Sequence, residues 1–270
     1  MKLRIVSDLH LEYSPFKLPA LASDPHTTLI LAGDIANLAD FSGYEGMLCR
    51  YAQRFRHVVL VPGNHEFYDH VLQQGLTALA TMQLPHNVHI LDNRAVMLDG
   101  VRILGCTLWT NMNNGDPFTQ HKAGLYIRDY HAIGWQPNPG AAVEPLKTQH
   151  TRQLHAESVQ WLENELTQNS PTAAKTVVIT HHLPSLQCVD PFYASSDLNG
   201  AFASDLDALW ERHRPHLLIH GHTHSSVYKH LNDDPNLPLI VANPRGYSRD
   251  ADRHPENNRF DPFLVVKLEP

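Results

Sequence analysis

Five short segments of this 270-residue chain carry side chains of the kind that hold transition metals, at spacings that could aim them at one point. They are Asp8-Leu9-His10, Gly33-Asp34, Gly63-Asn64-His65-Glu66, His181-His182 and His220-Gly221-His222-Thr223-His224. All the donors are oxygen or nitrogen and none is a thiolate, which suits Mn, Fe, Zn, Ni or Co. One residue between two ligands, as in Asp8-x-His10 and His222-x-His224, lets both side chains leave the same side of an extended backbone. The glycines before Asp34, Asn64 and His222 permit sharp turns or close backbone approach. Taken singly, D-x-H and G-D carry little weight, because about one of each arises by chance in a chain of this composition. The G-N-H-E tetrad and the joint occurrence of all five segments carry the argument. A structural metal site usually closes at four ligands. Seven ligand-type residues and a spare histidine exceed that need and point to an open, catalytic site.

Each segment directly follows a short apolar run. The runs are Leu3–Val6, Thr28–Leu31, Val58–Val61, Thr176–Ile179 and Leu217–Ile219, with further ones at Val88–Leu91, Val96–Leu98, Val101–Leu104, Leu239–Val241 and Leu264–Val266. Most are continuous rather than alternating, as expected of strands buried on both faces. Strands of one sheet bring their carboxyl ends to a common edge, so residues just beyond them converge. Asp99-Gly100 reads as a tight hairpin turn. Helices are expected over Tyr44–Phe55, Phe67–Met82 and Thr151–Asn169. Another is expected to begin at Ser204-Asp205-Leu206-Asp207 with a box-like cap. The fold class is α/β, with a mixed sheet. Two polar stretches lack periodicity, Thr110–Pro145 and Ser185–Ala203, and loops this long in a compact domain are usually functional or disordered.

Composition narrows the function further. Hydrophobic residues make up 42% and charged residues 18%, which is globular. A net charge of −7 without a basic run disfavours a large nucleic-acid footprint, while a small anionic substrate remains allowed if metals supply the positive charge. The three cysteines, Cys49, Cys106 and Cys188, form no paired motif and fit a reducing, cytoplasmic location. No run approaches a membrane span, and no secretory signal is expected at the N-terminus. Nothing in the sequence specifies an oligomeric state. Of the 20 histidines, those outside the five segments read as surface or structural, while His121 and His131, in the polar insert, have a substrate role as the alternative reading. His220 reads as a strand-end core residue.

In this order, D-x-H, G-D, G-N-H-E, a strand-end histidine and G-H-x-H resemble the calcineurin-like metallophosphoesterases. The motifs run from Asp8 to His224, and the loop Asn243-Pro244-Arg245-Gly246-Tyr247 also looks like members of that family. The resemblance implies one domain over residues 1–270. It would be a two-layer mixed β-sheet sandwich flanked by helices, with the polar insert at about 110–145 near the active site. It also implies two divalent or trivalent ions, manganese and iron favoured. Asp34 would bridge them. Asp8, His10 and His224 would complete one site, and Asn64, His181 and His222 the other. His65 would lie beside the ions without ligating them. The protein Ser/Thr phosphatases of this family carry G-D-x-V-D-R-G, whose second acid supports the catalytic histidine. Here Gly33-Asp34-Ile35-Ala36-Asn37 lacks it, which argues against that branch.

The expected reaction is hydrolysis of small phosphomonoesters or phosphodiesters. Two ions roughly 3.5–4 Å apart would share a hydroxide that attacks phosphorus in line. His65, as imidazolium, would protonate the leaving alcohol. Glu66 could orient His65 or a residue behind the ligands. Arg245 has two readings, a guanidinium clamp on phosphate or a surface ion pair. His182 would sit behind the ligands or face substrate. Asn111, Tyr130, Phe67 and Tyr193 would line the cleft or simply pack. Two other functions compete. A nuclease using the same centre would need a basic groove. A non-catalytic metal-binding scaffold would be expected to lose ligands, and none of the expected positions is lost.

Overall fold

The computed structural model describes residues 1–168, 175–247 and 256–268, so most of the acidic Asp250–Glu256 stretch and His254 lie outside the described residues. The chain opens with β1 (Lys2–Val6), β2 (Thr28–Ala32), β3 (His57–Val61) and β4 (Val88–Ile90), which pair in parallel in that order. Next come β5 (Arg94–Leu98) and β6 (Val101–Cys106), an antiparallel hairpin whose turn residues Asp99 and Gly100 both have positive φ. That is the two-residue turn whose twist matches the flanking strands. After the small ribbon β7 (Gly134–Trp135) and β8 (Glu144–Pro145) come β9 (Lys175–Thr180), β10 (Leu217–His220), β11 (Val227–His230), β12 (Leu239–Ala242) and β13 (Val265–Lys267).

Two mixed sheets result, ordered β13-β1-β2-β3-β4 and β11-β12-β10-β9-β6-β5. Three of the four edge strands, β13, β11 and β5, run antiparallel to their neighbours, and β4 runs parallel. Alternate residues of each strand explain the continuous apolar runs. Ile5, Ile30, Val59 and Val61 from one sheet meet Ile103, Val177, Ile179, Leu217 and Ile219 from the other in a shared core. On the outer face of the first sheet, Leu29, Leu31, Val58 and Leu60 pack in a cluster that includes Leu48 and Leu79 from α1 (Phe41–Arg54) and α2 (Leu72–Thr81). The second sheet turns Leu104, Val178, Leu218 and Ile240 into a cluster with Leu162 and Trp210. The architecture is thus the expected sandwich of mixed sheets between helices.

Two helix expectations need correction. The segment from Phe67 is not helical until Leu72, because His65–Phe67 forms a 3-10 turn and Val71 is extended. The helix expected from Ser204 begins at Asp207, because the Ser204 hydroxyl accepts the Asn111 N–H at 3.1 Å instead of capping. The polar insert holds real structure: α3 (Met112–Gly115), a left-handed turn of positive φ throughout, then α4 (Pro117–Tyr126) and α5 (Asp129–Ala132). Asp116 caps α4 by accepting the Thr119 N–H at 2.7 Å, and Pro117 follows as its first residue. The long amphipathic helix α6 (Thr148–Thr167) starts three residues earlier than expected, and α7 (Asp207–His213) completes the set. Among the described residues no helix is long and apolar enough to cross a membrane.

Candidate metal centre

The carboxyl ends of β1, β2 and β3 in one sheet and of β9 and β10 in the other meet at one rim. The seven predicted ligands and His65 all come from the loops there. Three overlapping groups have donor atoms within 4.8 Å of one another: Asp8, His10 and His224; His10, Asp34 and His65; and Asp34, His181 and His222. Asp34 belongs to two of them. His224 Nε2 lies 3.5 Å from Asp8 Oδ1, and His181 Nε2 lies 3.4 Å from Asp34 Oδ2. Asn64 joins through its amide oxygen, 3.0 Å from His181 Nε2.

Backbone conformation aims these side chains. The predicted extended backbone between Asp8 and His10 is absent. Asp8, His10, Asp34, His222 and His224 all have φ between 46° and 77°, the left-handed region. Such strain in non-glycine residues clusters at functional sites. Backbone bonds hold the turns in place: Asp8 and His10 donate to Gly33 O and Asp34 O at 2.9 and 3.1 Å. Gly33 has φ +86°, and a Cβ there would lie 2.1 Å from His181 Nδ1. Glu66 does not reach His65. Its carboxylate accepts the N–H groups of Gly63, Asp34 and Ile35 at 2.8–2.9 Å and the Tyr44 hydroxyl at 3.1 Å, so it fixes the turn that carries Asp34.

The donor chemistry fits cations. His10, His181 and His224 turn Nδ1 toward Glu12 Oε1 (3.2 Å), Ala32 O (2.9 Å) and Glu256 Oε2 (2.7 Å), which are acceptors for an Nδ1 proton. Each Nε2 is then an electron-pair donor. Two of them, on His10 and His224, face each other at 3.0 Å. Asn64 gives its amide N–H to Asp129 Oδ1 at 2.8 Å, so its oxygen also offers lone pairs. Lone pairs brought together around buried carboxylates are what a cation satisfies. Protons compete for the same field. Burial lowers both His181 and His224, but Asp34 and Asp8 outweigh it and push His181 up to about 10 and His224 up to about 9. Metal loading here would therefore displace protons and strengthen with pH.

His65 shares the second of the three donor groups with His10 and Asp34. Its Nδ1 is 3.1 Å from Glu12 Oε1, its Nε2 is 3.1 Å from the Tyr247 hydroxyl, and its ring stacks on Tyr68 with centroids 4.0 Å apart. Burial alone would lower its pKa, but Asp34 and Glu12 overcome it and hold the imidazole above its ordinary value. Glu12, Asp129, Glu256 and Tyr247 were not singled out as site residues from sequence. Their hydrogen bonds with the cluster span 32 to 182 residues, Glu12–His10 apart, so no local spacing marks them. Glu12 did carry a signal, since it extends the alternation Asp8, His10, Glu12 by one step.

The predicted substrate contacts fare differently. Arg245 is no phosphate clamp: it is buried, donates to Leu9 O at 2.8 Å and Ser14 Oγ at 3.0 Å, and lies over the Phe16 ring. It ties the last loop to the Asp8–His10 turn. His182 is buried behind the cluster, its ring 4.1 Å from that of His222, and burial beside His181 pulls it down to about 3. Asn111 lines a neighbouring groove and accepts the Asn114 N–H at 3.1 Å. Tyr130 and Phe67 are core residues, whereas Tyr193 lines the cleft above the cluster. His220 is buried at the strand end, as expected.

A two-sheet sandwich with strand-end donors around paired carboxylates is a metallohydrolase architecture, and the sequence profile of the calcineurin-like phosphoesterases matches residues 1–226. The chain belongs to that family. Among individual proteins, uncharacterized protein L509 of Acanthamoeba polyphaga mimivirus is 28% identical over 295 residues, covering 99% of this chain and 96% of that protein. The crystal structure of the phosphopantetheinyl hydrolase of Mycobacterium tuberculosis shares the fold. It has a TM-score of 0.72 at 18% identity and covers 100% of this chain and 96% of its own.

Proposed function

We propose that the chain, as one domain, hydrolyses small phosphomonoesters or phosphodiesters at a two-metal centre. Asp8, His10 and His224 would hold one ion, Asn64, His181 and His222 the other, and Asp34 both. The observation that supports this reading is the sharing of the Asp34 carboxylate between two donor groups, one with His181 and His222 and the other with His10 and His65. When bound, such ions supply an activated water at neutral pH and positive charge for the phosphoryl oxygens. Manganese and iron are the favoured pair.

The residues of the chain do the rest. With Nδ1 turned to Glu12, His65 has Nε2 left to pass a proton outward, and the Tyr247 hydroxyl marks that path into the cleft. His65 protonates the departing alkoxide, which would otherwise leave as a strong base. Glu12 supplies the carboxylate support that the sequence around Asp34 lacks. Stacking on Tyr68 limits ring rotation. The cleft encloses about 450 Å³, a volume for a small ligand rather than a polymer. Unpaired Cys106 and Cys188 are buried, which is compatible with a cytoplasmic location.

The test uses metal-loaded protein with an aryl phosphate and a bis-aryl phosphate. The expected result is turnover of at least one, with His65→Ala retaining metal and losing at least ~100-fold in kcat. Turnover of neither substrate with both metals bound would shift the reading to a binding scaffold. Near-full activity of His65→Ala on a poor leaving group would remove the acid role.

A further inference from the structure

The cleft above the cluster has one wall that the hydrolytic chemistry does not use. It is built from the two stretches that lacked periodicity in sequence. Tyr126 and Ile127 come from the end of α4, and Val189, Tyr193, Leu198 and Phe202 from the loop before α7. Tyr126 is 71% and Tyr193 53% exposed, so both rings are open to a ligand in this cleft. The wall starts at the reaction centre, because the Phe202 ring lies 5.1 Å from the His222 ring at 32°. It continues outward from there.

Arg128 stands in the same cleft and is its only Lys or Arg among the described residues. Arg245, by contrast, is buried and donates to Leu9 O and Ser14 Oγ. No described residue accepts a hydrogen bond from the Arg128 guanidinium, which lies 5.4 Å from the centroid of the Tyr68 ring. Its position is fixed from the next residue. Asp129 is buried and accepts both the Asn64 amide and the Tyr68 hydroxyl at 2.8 Å. The backbone at 128 is therefore locked to a predicted ligand while the guanidinium remains available. An exposed fork of donors beside a phosphoryl-binding centre fits an anion bidentately.

We infer that this cleft selects phosphoesters with a flat, apolar or aromatic leaving group, which lies along Tyr126, Tyr193 and Phe202 while Arg128 grips the phosphoryl oxygens. The inference rests on the proposed hydrolytic reading for its substrate class, but recognition is separable from turnover. Arg128 and the two tyrosines are binding residues in this scheme and take no part in proton transfer.

Phosphonates test it, because their P–C bond is not hydrolysed. Methylphosphonate and phenylphosphonate are titrated calorimetrically into manganese-loaded protein. The expected result is phenylphosphonate binding about ten-fold tighter than methylphosphonate, from the apolar area the ring covers. Tyr193→Ala and Tyr126→Ala should shrink that preference to about two-fold without weakening methylphosphonate. Arg128→Ala should weaken both ligands about ten-fold, and Arg128→Lys should recover part of the loss. Equal binding of the two phosphonates, no binding of either, or affinity indifferent to Arg128→Ala overturns the inference even if esters are hydrolysed. The expected preference in a protein that turns over no ester would instead sink the catalytic reading and leave recognition standing.

Discussion

At the scale of single residues, Glu12 links the two halves of the chemistry. One carboxylate oxygen lies 3.2 Å from His10 Nδ1 and 3.1 Å from His65 Nδ1, so it orients a predicted ligand and the proposed acid together. Glu12→Gln should lower kcat by ~10–100-fold with little change in KM. The pH profile should move as well. Glu12 helps hold His65 above its ordinary value, so without that charge the acid loses its proton at lower pH and the high-pH decline in rate begins earlier. An unmoved profile would show that Glu12 is merely structural. The ligand residues were legible because each motif is local and follows a strand. Their supporting groups were not, since Asp129 and Asn64 are 65 residues apart and only folding makes them neighbours. Arg245 misled for a related reason: a guanidinium after a strand suits an anion, but also suits buried backbone carbonyls, and those are nearer here.

At the scale of elements, the strands were readable and some of the helices were not. Continuous β-branched runs identify strands covered on both faces, and the two sheets bury theirs against each other and against helices. Helix α4 escaped because only Thr119 and Ala123 of it are buried, which leaves no apolar stripe to read. Its Asp116-Pro117 start was the available cue. The turn after β3 shows how tightly an element end can be specified. A Cβ on Gly63 would sit 2.2 Å from Asp34 Oδ1 and 2.7 Å from both Asp34 N and His181 Cε1. Gly63→Ala should displace Asp34, reduce bound manganese measured by mass spectrometry, and cost about 1–3 kcal/mol in denaturant unfolding. Normal metal content in that variant would mean the rim can yield.

At the scale of the whole molecule, a buried charge knot joins the chain's two ends. Arg4 on β1 bonds Asp24 at 2.8 Å and also the carbonyls of Pro19 and Pro262, while Arg54 Nε donates to Asp24 at 2.6 Å. Burial alone would raise Asp24, but the Leu21 N–H and the two guanidinium groups hold it below its ordinary value. Its stabilising contribution is therefore present above the unfolded-state pKa of about 3.9 and is lost as pH falls through the lower folded value. Asp24→Asn should cost about 3 kcal/mol at neutral pH. In urea titrations the gap to the native protein should close as pH drops below about 3.9. A gap independent of pH would mean that packing, not charge, is what Asp24 contributes. Far from this knot, the five left-handed aspartates and histidines of the rim have a cost of their own. Glycine would occupy those positions with less backbone strain. An engineer seeking an inert, sturdier scaffold would begin with these five replacements, and would erase the capacity for catalysis in the same stroke.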